Sequence, residues 1–216
     1  MGLSGGIDSC VAAAVAKRAV GKNRLLALIL PIHSHRHDAR DAICFAKKLS
    51  IRYRAVDLSK IYDALINILP QAGKTSRLNL KPRLRMLVLY YFANKLDYLV
   101  CGTSNKSELS VGYFTKYGDG AADILPLGGL LKREVYDLAK ALHIPAEIIK
   151  KAPTAGLCPG QTDEAEMGIT YAELDEILAA HLGRRKQRLA GNKVTKVRAM
   201  IERSGHKRER PLICQI

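Results

Sequence analysis

The sequence predicts an α/β fold, a parallel sheet with helices on both faces. Short apolar segments alternate along the chain with amphipathic segments of helical period, and this alternation is typical of strand–helix units joined in parallel. Residues 25–30 form a continuous apolar run, which indicates a strand buried on both faces. Because the 216 residues contain no internal repeat and no long linker, we expect a single domain.

In the first half of the chain, strands and helices are predicted in turn. A short apolar stub precedes a glycine-rich turn, and Val11, Val15 and Ala19 then lie on one helical face. The predicted elements are the stub at residues 1–3, a helix over 9–20, the strand at 25–30, a helix over 38–49, a strand at 51–56 and a helix capped by Ser59.

The second half contains two long glycine-rich segments, which we expect to be loops. Thr170 and Glu173 form a capping box, which opens a helix with Leu174, Ile177 and Leu178 facing inward. The other predicted elements are a polar loop at 70–79, a helix over 83–95, a strand at 98–101, loops at 103–130 and 152–162, a helix from Lys132 onward and a last helix over 193–204.

The formal net charge of +15 predicts an affinity for polyanions, which include nucleic acid, acidic membranes and phosphate-rich small molecules. A merely well-solvated surface explains the charge equally well when it is taken alone. Much of the excess lies in a basic tail from about residue 184, formed by Arg184, Arg185, Lys186, Arg188, Lys193, Lys196, Arg198, Arg203, Lys207, Arg208 and Arg210.

The cysteines and the apolar runs indicate a cytoplasmic chain with no membrane partner. The five cysteines never occur in C-x-x-C spacing, which argues against a disulfide framework or a zinc site. Cys10, Cys44 and Cys101 stand in apolar runs and are predicted to be small core residues. No apolar run approaches the roughly 18 to 20 residues that a membrane helix needs, and no signal peptide is visible.

The sharpest local motif is Ser-Gly-Gly-Ile-Asp-Ser at residues 4–9, between an apolar stub and a helix. Adjacent glycines let the backbone approach a ligand, and a helix N-terminus adds unpaired N–H groups, so the motif predicts a pyrophosphate site. Asp8 would repel a phosphate unless Mg²⁺ lies between the carboxylate and the phosphate oxygens. The alternative is a plain glycine turn in which Asp8 helps to cap the helix.

This motif resembles the phosphate loop of the N-type ATP pyrophosphatases, which cleave ATP between its α and β phosphates. That superfamily includes NAD synthetases, other amide-forming synthetases and tRNA-modifying enzymes, and the loop alone does not choose among them. The resemblance implies an adenine nucleotide alpha hydrolase-like, Rossmann-like fold.

Three further segments resemble the NAD synthetase family specifically. They are GTSNKSE followed by GYFTKYGDG and DILPL from residue 102, GLLKR from residue 129, and PTAGLCPGQTDE from residue 153. The resemblance runs in order from residue 2 to about residue 210. It departs from the family at the short first strand, whose loss would expose hydrogen-bonding groups of the sheet, and at Cys158, where relatives often carry a large aromatic residue.

The resemblance implies site residues, position by position. Asp8, Lys132 and Glu108 would be catalytic, with Asp8 and Glu108 holding Mg²⁺. The implied deamido-NAD ligands are Arg83, Lys116, Asp123, His206 and Lys207. The implied ATP ligands are Gly2, Leu3, Ser4, Gly5, Gly6, Ile7, Asp8, Ser9, Thr103, Lys132 and Thr154.

Each of these side chains also has a structural interpretation. Arg83 could extend from its helix along apolar surface, Lys116 could be a solvated loop residue, and Asp123 could cap a turn. His206 and Lys207 stand in a basic tail that would ordinarily be solvated. For Lys132 the phosphate interpretation is favoured, because a cation at a helix start is slightly unfavourable without an anionic partner.

The reaction implied by the resemblance is an ATP-dependent amidation of deamido-NAD through an acyl adenylate, giving NAD, AMP and pyrophosphate. The chain is too short for a glutaminase domain, so ammonia is the expected nitrogen donor. ATP is the co-substrate, Mg²⁺ the expected cofactor, and the family implies a homodimer that does not bind nucleic acid.

Two rival functions remain open from the residues. One is a tRNA-modifying ATP pyrophosphatase, suggested by the loop and the charge. Thiolating members of that class would need paired cysteines, which this sequence lacks. The other is a non-catalytic nucleotide-binding module, for which Glu108 and Lys132 would be dispensable. The run from His33 to His37 invites a metal-site interpretation, but a solvated loop is favoured because no acidic or cysteine ligands cluster nearby.

Overall fold

The computed structural model describes residues 1–158, 160–183 and 190–214. Four residues of the predicted basic tail, Arg184, Arg185, Lys186 and Arg188, lie outside the described residues. None of the helices in the described ranges is long and apolar enough to cross a membrane.

The sheet is built on two parallel strands, β1 (Leu26–Ile29) and β2 (Arg52–Ala55). The stub at residues 1–3 lies on the other side of β1, where the N–H of Leu3 donates to the carbonyl of Leu28 at 2.9 Å. A second parallel contact joins Cys101 to Ile124. The predicted strand at 98–101 is therefore reduced to a single bridge in the described chain.

Four helices accompany this first half of the fold. One helix spans residues 74–96, so the predicted polar loop at 70–79 is wrong from residue 74 onward, whereas the helix predicted over 83–95 is confirmed. Pro82 lies inside that helix, where its missing N–H and its ring normally disfavour a helix, and Leu80, the first residue after the predicted loop, packs on the core. The helices are α1 (Ile7–Val20), α2 (Arg36–Lys48), α3 (Ser59–Ile68) and α4 (Lys74–Leu96).

The second half is helical, and one of its helices falls inside the predicted loop at 103–130. That helix is opened by a capping box in which the Asn105 side chain accepts from the N–H of Glu108. The helices are α5 (Lys106–Val111), α6 (Lys132–Ala141), α7 (Ala146–Ile149), α8 (Asp163–Met167), α9 (Tyr171–His181) and α10 (Asn192–Arg203).

Three apolar clusters hold these elements together. The first packs α1, α2 and α6 around the stub and β1, and it contains Cys10 and Cys101 as predicted. The second packs α9 and α10 against Val111 and Leu131. The third packs α3 and α4 on the other side of β1. Cys44 is exposed, so its prediction as a core residue is wrong: its position on α2 faces away from the sheet.

Candidate functional site

The glycine-rich turn is held in shape by its own serines. The N–H of Ser4 donates to Ser9 Oγ at 3.2 Å, and Ser9 Oγ–H donates to the carbonyl of Gly6 at 2.9 Å. Gly5 has φ +83°, and a Cβ there would lie 2.8 Å from the carbonyl oxygen of Asp38. A side chain at Gly5 is therefore excluded by both backbone conformation and space.

Helix α1 begins at Ile7, two residues earlier than predicted, so Asp8 and Ser9 lie in its first turn. The first N–H groups of a helix have no acceptor within the helix, and here they face the end of the glycine turn. An anion at this place would meet backbone donors and the positive end of the helix dipole. The phosphate-binding role of the turn stays a prediction.

Lys132, the first residue of α6, supplies a buried ammonium group beside this turn. Its side chain is 1% exposed, and its Nζ lies 2.6 Å from Asp8 Oδ2 and 3.3 Å from Glu108 Oε1. Asn105 Nδ2 donates to the other oxygen of Asp8 at 2.8 Å. The structure thus brings together the three predicted catalytic residues, which are far apart in the sequence.

A second layer of polar side chains, not predicted from the sequence, surrounds this trio. The hydroxyl of Tyr171 donates to Asp163 Oδ2 at 3.0 Å and to Glu108 Oε1 at 3.3 Å. The Tyr171 ring lies under Lys132, with Nζ 4.7 Å from the ring centroid, and the hydroxyl of Tyr113 donates to Asp163 Oδ1 at 3.1 Å. Asp163 belongs to the segment PTAGLCPGQTDE that resembles the family. Its local sequence is equally typical of an acidic residue at the start of a helix.

The charges of the site are mutually dependent. Burial raises the pKa of Glu108 to about 8, the Asp8 carboxylate adds to this, and the Lys132 ammonium opposes it. Burial by itself would lower the pKa of Lys132, but Asp8 and Glu108 outweigh it and raise that pKa. Burial likewise raises the pKa of Asp163. A further cation beside Glu108 would offset the charge of Asp8 and favour the ionised form of the Glu108 carboxyl group.

The Lys132 ammonium shows that one cation can touch Asp8 and Glu108 at the same time. Carboxylate oxygens are the protein ligands that Mg²⁺ prefers, and it commonly takes only one or two of them beside water and substrate phosphates. No group of three or more His, Cys, Asp or Glu side chains in the described chain is arranged to hold a metal ion. A two-carboxylate site therefore fits Mg²⁺ better than a metal that requires a full protein cage.

Four of the five predicted deamido-NAD ligands meet around residues 112–117. Lys116 Nζ donates to the carbonyl of His206, and Arg83 donates to the carbonyl of Lys116 at 3.4 Å. Lys207 Nζ donates to the carbonyls of Gly112 and Phe114 at 2.7 and 2.8 Å. These contacts tie the C-terminal segment to the loop after α5.

Asp123, the fifth predicted ligand, has other partners. Its carboxylate accepts from the N–H of Val100 at 2.6 Å and from the hydroxyl of Tyr90 at 3.2 Å. These partners lie 23 and 33 residues away in the sequence, so the contacts are tertiary rather than those of a turn cap, and the ligand role of Asp123 stays a prediction.

Thr154, a predicted ATP ligand, is exposed on the loop before α8. That loop is anchored at Leu157, whose carbonyl accepts from Lys81 Nζ at 2.6 Å, and at Lys151, whose Nζ lies 2.5 Å from Asp41. Thr103 is half-buried between the Cys101 bridge and α5. Gly2 pairs with β1 and the Leu3 side chain is buried, and the roles of both as ATP ligands stay predictions.

The histidine run does not assemble a metal site within the described chain. His33 Nε2 lies 2.7 Å from Asp63, and His35 stacks on His37 with ring centroids 5.2 Å apart. His33 and His35 are exposed in the loop before α2, as predicted, whereas His37 lies in the first turn of α2.

Comparison with known proteins gives the family of the chain. A family model described as NAD synthase matches residues 1–211. The NH(3)-dependent NAD(+) synthetase of Archaeoglobus fulgidus is 48% identical over 218 residues, which cover 100% of this chain and 87% of that protein. The protein of the same name from Syntrophomonas wolfei is 46% identical, with 100% and 87% covered.

Solved structures give the same fold. An NMN synthetase from Francisella tularensis has a TM-score of 0.91 and 40% identity, covering 100% of this chain and 88% of that one. An NH3-dependent NAD synthetase from Campylobacter jejuni has a TM-score of 0.84 and 33% identity, with 99% and 87% covered. The predicted α/β fold and the resemblance read from the motifs are confirmed.

Proposed function

We propose a division of roles among the site residues of this chain, which belongs to the NAD synthase family. Its activity is the ATP-dependent amidation of deamido-NAD with ammonia, a ligase reaction that forms a C–N bond. The observation that carries the roles is the buried Lys132 ammonium in contact with Asp8 and Glu108 beside the glycine turn.

In the first step, a carboxylate oxygen of the nicotinate group attacks the α-phosphorus of ATP. The new P–O bond forms as the bond to the β-phosphate oxygen breaks, which gives an acyl adenylate and pyrophosphate. Such a transfer needs alignment and charge neutralisation rather than a covalent nucleophile. The N–H groups of the glycine turn and of α1 would hold the outer phosphates, and Lys132 would neutralise charge on the departing pyrophosphate.

In the second step, ammonia attacks the acyl carbon, the C–N bond forms, and AMP leaves with the bonding electrons. The nitrogen must lose one proton before the amide is complete. We assign no base to this proton; Asp123 was the candidate from the sequence, and its carboxylate is held by Val100 and Tyr90.

Asp8 and Glu108 would hold Mg²⁺, because their carboxylates already share one cation in the form of Lys132. When bound, the ion would neutralise phosphate charge and help to orient the triphosphate. Asn105 orients Asp8, and the N–H of Asn105 donates to Glu108 Oε2 at 3.2 Å, so both carboxylates are fixed before any ligand binds.

The direct test measures NAD and AMP formation from deamido-NAD, ATP, Mg²⁺ and ammonium by the purified chain. Lys132→Met, Asp8→Asn and Glu108→Gln should each lower kcat by at least about 100-fold, because preorganised charges at a reacting centre are worth roughly this much. Lys140→Met is the matched control, since Lys140 lies on the same helix α6 with a side chain 67% exposed. Wild-type turnover by Lys132→Met would refute the assignment.

A second acceptor has a specific observation in its favour. The TM-score of 0.91 belongs to a protein named as an NMN synthetase, which points to the mononucleotide as an acceptor. Parallel measurements of kcat/KM with deamido-NAD and with nicotinate mononucleotide decide between them. A ratio above about tenfold for deamido-NAD supports the first assignment, and the reverse ratio supports the second.

A homodimer is proposed from the exposed apolar face of α4 and its surroundings. Leu87, Tyr91 and Leu99 are more than 60% exposed, and Ile124 is 46% exposed nearby in the Cys101 bridge. Exposed apolar surface of this kind is typical of an interface. Light scattering should give twice the chain mass, and Leu87→Asp should shift it to one chain mass; a wild-type monomer would contradict the proposal.

We propose that the chain works in the cytoplasm and does not bind nucleic acid. The free cysteines Cys10, Cys44, Cys101, Cys158 and Cys214 support a reducing compartment. A rise in the fluorescence polarisation of a labelled RNA or DNA oligonucleotide, when the protein is added at physiological salt, would contradict the statement that the chain does not bind nucleic acid.

A further inference from the structure

A buried carboxylate outside the site, Asp175, is tied to two of the three helices that carry the proposed catalytic side chains, α5 with Glu108 and α6 with Lys132. It belongs to α9 and is 1% exposed. The hydroxyl of Ser107 donates to its Oδ1, and the N–H of Arg133 donates to its Oδ2 at 2.7 Å. Its partners are thus a side chain of α5 and the backbone of α6.

The residue before α6, Leu131, has no side-chain oxygen that could cap the first turn, although Glu134 of the same helix accepts from the N–H of Leu131 at 2.7 Å. The N–H of Lys132 donates instead to Ser107 Oγ at 2.9 Å, and the next N–H is the one that Asp175 accepts. The N–H groups of the first two residues of α6 are therefore satisfied from two other helices, α5 and α9. Lys132, whose ammonium lies in the site, is one of the two residues held in this way.

Ser107 is fully buried and immediately precedes Glu108 on α5. One hydrogen-bonded chain, Asp175 to Ser107 to the N–H of Lys132, therefore connects the backbones that carry Glu108 and Lys132. Because buried polar groups lose much free energy when they lose a partner, this chain fixes the spacing of the two helix starts.

We propose that Asp175 and Ser107 are positioning residues, which hold the Lys132 ammonium at its distance from Glu108 and Asp8. The proposal rests on the catalytic roles proposed above for Lys132 and Glu108. Neither residue would touch substrate. Their loss should lower kcat while leaving KM for deamido-NAD nearly unchanged, because the predicted dinucleotide ligands lie around residues 112–117 and on other elements.

The test compares Asp175→Ala, Asp175→Asn, Ser107→Ala and the double variant Ser107→Ala/Asp175→Ala. We expect Asp175→Ala and Ser107→Ala each to lower kcat about 10- to 100-fold, as a shift of about 1 Å at a reacting centre does. Asp175→Asn keeps one carbonyl acceptor for the N–H of Arg133, so its kcat should fall between wild type and Asp175→Ala. The kcat of the double variant should be about the same as that of either single variant, since the two residues act as one unit.

Val197→Ala is the matched control for stability. Val197 is fully buried in the same α9–α10 cluster but makes no hydrogen bond to α5 or α6, so its truncation should destabilise the fold and leave kcat per folded molecule unchanged. Kinetics are measured well below the unfolding transition of each variant. The proposal is overturned if the Asp175 and Ser107 variants have wild-type kcat under these conditions. It is also overturned if their KM for deamido-NAD rises with no loss of kcat.

Lys132→Met and Glu108→Gln are measured in the same series. If these variants keep wild-type kcat, the proposed catalytic roles fail. If they lose activity and Asp175→Ala does not, only the positioning role fails.

Discussion

At the scale of single residues, the site depends on one lysine that contacts two carboxyl groups. Buried ions are tolerated only when they are paired and hydrogen-bonded, and removing one partner leaves an uncompensated charge. Lys132 meets this condition through Asp8, Glu108 and the Tyr171 ring. The same contacts keep the ammonium charged and in place before the nucleotide arrives.

Cys10 gives a residue-scale prediction about reactivity. Burial raises the pKa of its thiol to about 12, so only about one thiol in ten thousand would be a thiolate at pH 8. Exposed Cys44 and Cys214 should therefore be alkylated by iodoacetamide while Cys10 stays unmodified. Mass spectrometry of the native chain checks this, and early labelling of Cys10 would show that its helix opens readily.

The same pKa shift predicts a loss of stability in alkali. The thiol is protonated in both states below its ordinary pKa of 9.0, and above that value only the unfolded thiol ionises. The contribution of the protonated Cys10 thiol to the free energy of unfolding is therefore intact at neutral pH. It is lost between pH 9 and about 12, at up to roughly 1.4 kcal/mol per pH unit. Urea unfolding at pH 8 and pH 10.5 should show a shallower loss for Cys10→Ala than for wild type. Equal slopes would contradict this account.

At the scale of elements, the α9 cap was predictable and gives a stability prediction. The Thr170 hydroxyl oxygen accepts from the N–H of Glu173 at 3.3 Å, and the Glu173 carboxylate accepts from the N–H of Thr170 at 3.2 Å. Thr170→Ala should lower the free energy of unfolding by about 1 kcal/mol. Denaturant unfolding measures this, and no change would mean that tertiary packing alone holds the helix start.

Elements with a strong local signal were predicted, and those decided by tertiary contacts were not. The strand β1 and the helices α1, α6, α9 and α10 follow from apolar period and capping residues. The sequence predicts too late a start for α4, because the polar segment before Pro82 has no apolar stripe of its own. The sequence does not predict the roles of Asp163 and Asp175, because their partners lie far along the chain and only the fold brings them together.

At the scale of the whole molecule, the charge of +15 should act on substrate capture. Both substrates are polyanions, and attraction between exposed charges is screened by salt with a Debye length of about 8 Å at physiological ionic strength. We expect kcat/KM for deamido-NAD to fall several-fold between about 20 mM and 500 mM salt, with kcat much less affected. A flat salt dependence would mean that the basic surface plays no part in capture.

The architecture of the whole chain explains why the family was recognisable before the structure. The glycine turn, the loop after α5 and the loop before α8 lie far apart in sequence, and each carries a motif that resembles the family. The number of domains stays a prediction, since three apolar clusters share the described chain. The basic tail contributes Lys207 to the loop after α5, a contact that its composition did not reveal.

The central claim is that this site activates a carboxylate by transferring the adenylyl group of ATP to it. Deamido-NAD labelled with heavy oxygen in its nicotinate carboxylate tests this most directly, by mass spectrometry of the AMP produced with ammonium. We predict one labelled oxygen in each AMP, because the acyl C–O bond breaks when ammonia displaces it. AMP that carries no label while NAD is formed would contradict the account.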